Sequence, residues 1–175
     1  GLGDVEHVGL NAIAGAVGLG EDLLAPGEDR LGPVEVDDDV PALKAATGAE
    51  VIAWSNRNGL KTDQRMRDTD RLITDEFELA AVHTPGHAGN HLCFFLEGER
   101  LLFSGDHIMQ GSTVVITPPD GDMGAYLESL AKVRALAPLA IAPAHGHVIT
   151  DPNAVIDWYV AHRLEREAQL HDLMI

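Results

Sequence analysis

Three histidines, His83, His87 and His91, fall within nine positions of the stretch AVHTPGHAGNHLCFF, residues 81–95. A spacing of four would line them up on a helix, but Pro85, Gly86 and Gly89 stand between them and break one. Two further stretches share the form. LLFSGDHIM (101–109) is an apolar run ending in Gly105, Asp106 and His107, and LAIAPAHGHVI (139–149) is another ending in His145, Gly146 and His147. Imidazole nitrogens and a carboxylate oxygen gathered in turns at strand ends are a donor set for Zn²⁺ or a similar borderline ion. Such an ion can lower the pKa of a bound water to about 7 and supply a hydroxide nucleophile.

Each of these residues also has a plainer role open to it. Asp106 could cap its own loop through Asx-type bonds. His83 is expected to make a structural hydrogen bond, and His91 to support the site from behind or sit as an ordinary buried histidine. His107 and His147 flank the ligand positions and are expected to face solvent. Asp37–Asp39 read as a solvated helix N-terminus favoured by the dipole, Asp120 and Asp122 as turn and cap residues, and His162 and His171 as surface residues of a charged helix. Cys93, the single cysteine, alternates with apolar neighbours and reads as a buried strand thiol, not a nucleophile.

The positioning elements follow from periodicity and punctuation. Pro41–Thr47 reads as a helix closed by Gly48. Glu50–Trp54 and Phe77–Thr84 read as strands, and His91–Leu96 with Arg100–Ser104 as a hairpin around Glu97–Glu99. Met123–Leu136 has apolar residues at helical spacing behind Asp122 as N-cap, and Leu139–Ala142 is a short buried strand. A long amphipathic helix runs from Pro152 to about Met174, with Asp151 capping it and an apolar face at Val155, Trp158, Tyr159 and Leu164. Val8–Val17 is small and apolar and reads as a short helix or a loop, Gly18–Val36 is rich in Gly, Pro and acid and reads as loop, and 1–36 as a whole is expected to be a remnant or loop. Strands first form a meander and then alternate with helices, which makes the fold class α/β with a mixed sheet.

Composition bounds the rest. At 175 residues with 45% hydrophobic and 23% charged residues, the chain is long enough for one domain with a real core. A net charge of −16 weighs against non-specific binding to nucleic acid. No apolar run approaches the roughly 20 residues of a membrane span, and no basic leader is evident. A cytoplasmic location is expected.

In order and wording, HTPGHAGNH, FSGDHIM and PAHGHVI resemble the third, fourth and fifth metal motifs of the metallo-β-lactamase superfamily, and WYVAHRLEREAQL resembles the helix of its lactamase-β-like nuclease and thioesterase branch. The resemblance spans roughly Pro41–Ile175 and implies an αββα sandwich. It implies His87 as a ligand of a first metal, Asp106 as a bridge and His145 as a ligand of a second, with zinc as the ion. Ala144 stands where the family usually has glycine. The family's His-x-His-x-Asp-His signature, by contrast, is missing: no histidine occurs between His7 and His83. If Pro41 sets the register, Val34, Val36 and Asp39 replace the histidines and Asp38 keeps the carboxylate, whereas a shift of three would put Glu35 there. DVEHVGL, residues 4–10, is faintly similar to the end of such a motif. The N-terminal layer is accordingly expected to be incomplete, in a degenerate member or a fragment.

The resemblance thus implies a metal-dependent hydrolase scaffold for a small acyl ester or thioester, its activity impaired by the lost motif. An inactive binding module on the same fold and an RNA-cleaving fragment are the alternatives. Without a following domain, the C-terminal helix is expected to offer a face for self-association.

Overall fold

In a computed structural model, residues 36–56 and 61–172 are described. Helix α1 (Val36–Thr47) ends as expected, with Gly48 at φ +71 donating its N–H to Lys44 O at 2.8 Å. It begins before Pro41, so the Asp37–Asp39 run is part of the helix and does not precede it. The first expected strand is short: β1 (Ile52–Ala53) pairs in parallel with β2 (Gln64–Arg65). The main sheet has five strands in sequence order, β3 (Arg71–Ile73), β4 (Glu78–His83), β5 (Leu92–Leu96), β6 (Leu101–Gly105) and β7 (Ala140–Pro143). Helix α2 (Met123–Ala135) crosses between β6 and β7, and α3 (Pro152–Asp172) closes the described chain.

β3 carries no period-2 signal of its own, and periodicity places no strand there. Its backbone ladder to β4 holds it, with Leu72 opposite Leu79, and Arg71 adds exposed ion pairs to Glu78 on β4 and, at 2.8 Å, to Glu97 beyond β5. The β3–β6 segment is antiparallel throughout, whereas β6 and β7 run parallel. A parallel pair needs a crossover, which the α2 segment supplies.

The alternation read from the sequence divides the sheet's two faces. Ala80, Val82, Cys93, Phe95, Leu102 and Ile141 point to one side, where they pack with Tyr126, Leu130 and Val133 of α2 and Ile156 and Tyr159 of α3. Leu79, Phe103 and Ala142 form a smaller cluster on the other, with Phe94, Leu96 and Leu101 partly buried around it. The expected incomplete N-terminal layer lies outside the described residues. Cys93 is fully buried and its thiol is pushed up to about 12 by burial. Native protein should therefore fail to react with a chromogenic disulfide reagent that titrates one thiol per chain in denaturant.

Both expected helix caps are present. Asp122 Oδ1 accepts from Ala125 N at 2.8 Å and Asp151 Oδ1 from Ala154 N at 3.1 Å. The buried face of α3 differs from the expected one. Ile156 and Tyr159 dock, while Trp158 is 48% and Leu164 51% exposed, because the helix turns Trp158 away from α2 to stack on His162 at 5.4 Å. Tyr159 ties α3 to the loop after β6: its hydroxyl accepts from Met109 N at 2.9 Å and lies 3.0 Å from Met109 O and 2.6 Å from Ser112 O. Tyr159→Phe strands the Met109 N–H and is expected to cost about 1–3 kcal/mol, read as a lower urea midpoint at unchanged slope.

Candidate metal centre

Strand direction decides where the donors can meet. β4 and β6 are each antiparallel to β5, and β7 is parallel to β6, so β4, β6 and β7 share one direction. His87, Asp106 and His145 each follow the C-terminal end of one of these strands. All three therefore stand at the same edge of the sheet, as the sequence implied.

The turn carrying His87 is fixed from beneath. Gly86 has φ +134, and a Cβ there would lie 2.4 Å from Tyr126 Cα. Its carbonyl accepts from Asp122 N at 2.9 Å, and Pro85 O accepts from Ser129 Oγ at 2.7 Å. The turn thus rests directly on the start of α2. His83 Nε2 donates to Gly89 O at 2.9 Å, the structural bond expected of it.

His87 Nδ1 lies 2.7 Å from Val115 O. A carbonyl can only accept, so Nδ1 carries a proton, and the neutral ring is thereby held in the tautomer whose lone pair is on Nε2, the one a metal ligand needs. Val115 is held in turn by its neighbour: Val114 O accepts from Arg163 of α3. Asp106 Oδ1 and His145 Nε2 approach to 3.4 Å, within ion-pair range but without hydrogen-bond alignment, and Asp106 Oδ1 is a buried atom with no hydrogen-bond partner. A buried carboxylate oxygen left unpaired is costly unless something cationic completes it.

The fold therefore joins Asp106 to His145 and orients His87 at the same edge. Among the described residues, however, no group of three His, Cys, Asp or Glu side chains stands close enough to hold an ion. The donor chemistry fits a metal, but the described donors alone do not close a cage. Asp38 belongs to α1, and its side chain lies outside the described residues.

Two histidines behind the edge differ from their neighbours. His91 Nδ1 meets Thr84 Oγ1 at 2.8 Å, and burial, then His87, holds its pKa down at about 4. His107, expected to face solvent, is fully buried and neither ring nitrogen has a hydrogen-bond partner. The reason is local. β6 ends in a turn in which Gly105 is left-handed (φ +51) and His107 N donates to Ser104 O at 3.0 Å, and His107 lies on its inner side. There its ring meets the Tyr126 ring edge-on at 4.8 Å while Tyr126 Oη donates to His107 O at 2.7 Å. Burial, then His91 and His87, lowers its pKa well below the ordinary value. His147 is exposed as expected.

The chain belongs to the metallo-beta-lactamase superfamily, whose sequence profile matches residues 6–145. The matched range reaches back past Pro41, where the motif resemblance began, to the Glu6–His7 pair. An atrochrysone carboxyl ACP thioesterase of Emericella nidulans is 34% identical over 115 residues, which cover 65% of this chain and 36% of that protein. The chain spans about a third of the length of the curated relatives it matches. Among solved structures, a metallo-beta-lactamase family protein of Thermus thermophilus superposes with TM-score 0.60 at 26% identity, over 65% of this chain and 39% of that one. Another, solved in a di-iron-bound form, superposes with TM-score 0.54 at 23% identity over 64% of this chain and 65% of that one, a likeness of fold. The scaffold is that of the superfamily's hydrolases. No described helix is long and apolar enough to cross a membrane.

Proposed function

We propose that this chain carries the metal-binding edge of a hydrolase acting on a small acyl thioester or ester. The observation that carries the reading is a His87 ring whose Nδ1 is tied to Val115 O, turning Nε2 to the ligand role, together with a buried Asp106 oxygen that has no hydrogen-bond partner at the same edge. The thioesterase named among the relatives supports an acyl thioester as substrate class. Zinc suits two imidazoles and a carboxylate, a donor set that also accepts ferrous iron. When bound, it would supply an acidified water and polarise the substrate carbonyl.

The chain's own residues prepare that chemistry. Val115 O holds the His87 ring in the required tautomer, Gly86 seats its turn on α2, and Asp106 with His145 offers an oxygen and a nitrogen side by side. For the carboxylate of the first motif, Asp38 is one proposal. The adjacent Glu6 and His7 are the other, supported by a family match that begins at residue 6. With either, fewer histidines are present than the signature supplies, so the metal is expected to bind singly and weakly, and hydrolysis to run orders of magnitude slower than in a relative with the full signature.

Zinc content after equilibrium dialysis, measured beside thioester hydrolysis, tests this. His87→Ala and Asp106→Asn should each lower bound zinc at least several-fold, and His7→Ala against Asp38→Asn should show which segment contributes. Zinc retained by all four variants would defeat the site assignment, and vigorous zinc-dependent turnover by the unchanged chain would defeat the impairment. The lack of a three-donor group among the described residues favours a second reading, a binding module without catalysis. Absence of zinc uptake with a folded protein would select it. The exposed Trp158 and Leu164 on α3 support self-association through that helix, and light scattering showing a monomer at high concentration would refute it.

A further inference from the structure

A cationic group stands beside the candidate site with no carboxylate paired to it among the described residues. The segment before β3 continues the antiparallel ladder past the end of β4: Ala81 N donates to Asp70 O at 2.8 Å, Thr69 N to Ala81 O at 2.9 Å, and His83 N to Asp68 Oδ1 at 2.8 Å. That register carries Arg67 just beyond His83, to the edge where the His87 turn emerges.

Arg67 is exposed but held in place. Its backbone closes a tight turn, donating to Asp70 Oδ2 at 2.6 Å and accepting from Asp70 N at 3.1 Å. Its guanidinium lies 4.5 Å from the centre of the Trp54 ring, and Nη1 donates to Trp54 O at 2.9 Å. Trp54 is itself stacked on the His83 ring at 4.1 Å and 16°, and His83 is bonded to Gly89 in the His87 turn. Stacking and a carbonyl bond fix the plane of the guanidinium before any ligand arrives.

The nearby acids are otherwise engaged. Asp68 Oδ1 takes Lys132 at 2.6 Å together with the His83 N–H, and its pKa is lowered because these bonds outweigh its burial. Asp70 accepts from the Arg67 backbone. No described carboxylate pairs with the Arg67 side chain, in a chain whose net charge is −16. A preorganised guanidinium fork that no described carboxylate occupies is suited to an oxyanion received two oxygens at a time.

We propose that Arg67, held by Trp54 and His83, is a subsite for a carboxylate on the acyl substrate. The inference rests on the hydrolase reading of this edge and narrows it to carboxylate-bearing acyl compounds. Arg67 fixes the end of the substrate remote from the scissile bond and contributes to affinity rather than to the chemical step.

The test is binding, which needs no turnover. In a Trp158→Phe background, Trp54 becomes the only tryptophan, and its fluorescence reports on the subsite. Benzoate should shift that signal saturably, uncharged benzamide should not, and Arg67→Gln should weaken benzoate at least about fivefold. Arg67→Lys should restore only part of the affinity, since an ammonium lacks the fork. Equal response to benzoate and benzamide, or benzoate binding unchanged in Arg67→Gln, would overturn the subsite even if thioesters are hydrolysed. Arg67-dependent benzoate binding by a chain that hydrolyses nothing would leave the subsite standing and sink the hydrolase reading instead.

Discussion

Gly86→Ala is expected to destabilise the protein by about 3–5 kcal/mol, more than any other single methyl addition at a glycine near the site. Two costs add. The φ of +134 is one that L side chains rarely adopt, worth about 1–3 kcal/mol of strain. The new Cβ would also lie 2.4 Å from Tyr126 Cα and 2.6 Å from Tyr126 N. Those are helix backbone atoms that cannot swing aside, so α2 must shift, an overpacking cost of about 1–3 kcal/mol. Against a typical total stability of about 5–15 kcal/mol, this removes a large share. Two other glycines separate the costs. Gly48 has φ +71 but nothing within 4 Å, so Gly48→Ala reports strain alone, and Gly98, with open space and no positive φ, should change by less than about 0.5 kcal/mol. Urea midpoints for the three variants check the order. A Gly86→Ala protein as stable as Gly98→Ala would mean that the His87 turn is not seated on α2.

The second large effect is acid sensitivity. His91 has its pKa lowered to about 4 by burial and by His87, and His107 is lowered well below the ordinary value by burial and then by His91 and His87. Both are neutral in the folded chain but take up a proton near the ordinary value of about 6.5 once unfolded. The unfolded state binds more protons below that value, so stability rises with pH there and falls as pH drops. The loss for His91 begins near pH 6.5 and is complete by about pH 4. At about 1.4 kcal/mol per pKa unit it amounts to about 3 kcal/mol, and His107 adds to the decline in the same direction. Asp63 and Asp157, held below the usual carboxylate value of 3.8 by Lys44 and Arg134, contribute stability that is lost only below that value. The two windows therefore separate. Urea titrations in the presence of a chelator, from pH 7.5 to 4.5, should show the decline, and His107→Leu should remove part of it. A flat profile would mean that these rings are hydrated in the folded protein.

Much of the candidate site could be read without coordinates because its markers are local. A glycine-broken turn between two apolar runs announces a loop at a strand end, and three such loops in order are specific enough to name a superfamily. The helix caps at Asp122 and Asp151 were legible for the same reason, since a cap is decided within three residues. The burial of His107 was not legible. Asp106 and His107 are adjacent and both polar, and only the left-handed Gly105 and the Tyr126 ring waiting beneath decide which side chain faces in. Nor could Trp158 be separated from Tyr159 on α3. Both suit an apolar stripe, and the choice between them depends on where the Met109 and Ser112 backbone groups lie.

The fold class, the main strands from β4 onward and the three turns that carry His87, Asp106 and His145 thus follow from the order of residues alone. Period-2 alternation, caps and glycine punctuation act over a few residues and need no partner. Other features exist only once the chain has folded: Asp106 Oδ1 meets His145 without a hydrogen bond, Val115 selects the His87 tautomer, and Arg67 arrives beside Trp54 and His83. Each of these arrangements joins groups distant in sequence. Their geometry is set by strand direction, ladder register and the seating of α2 and α3 on the sheet, none of which is encoded at the residues that meet.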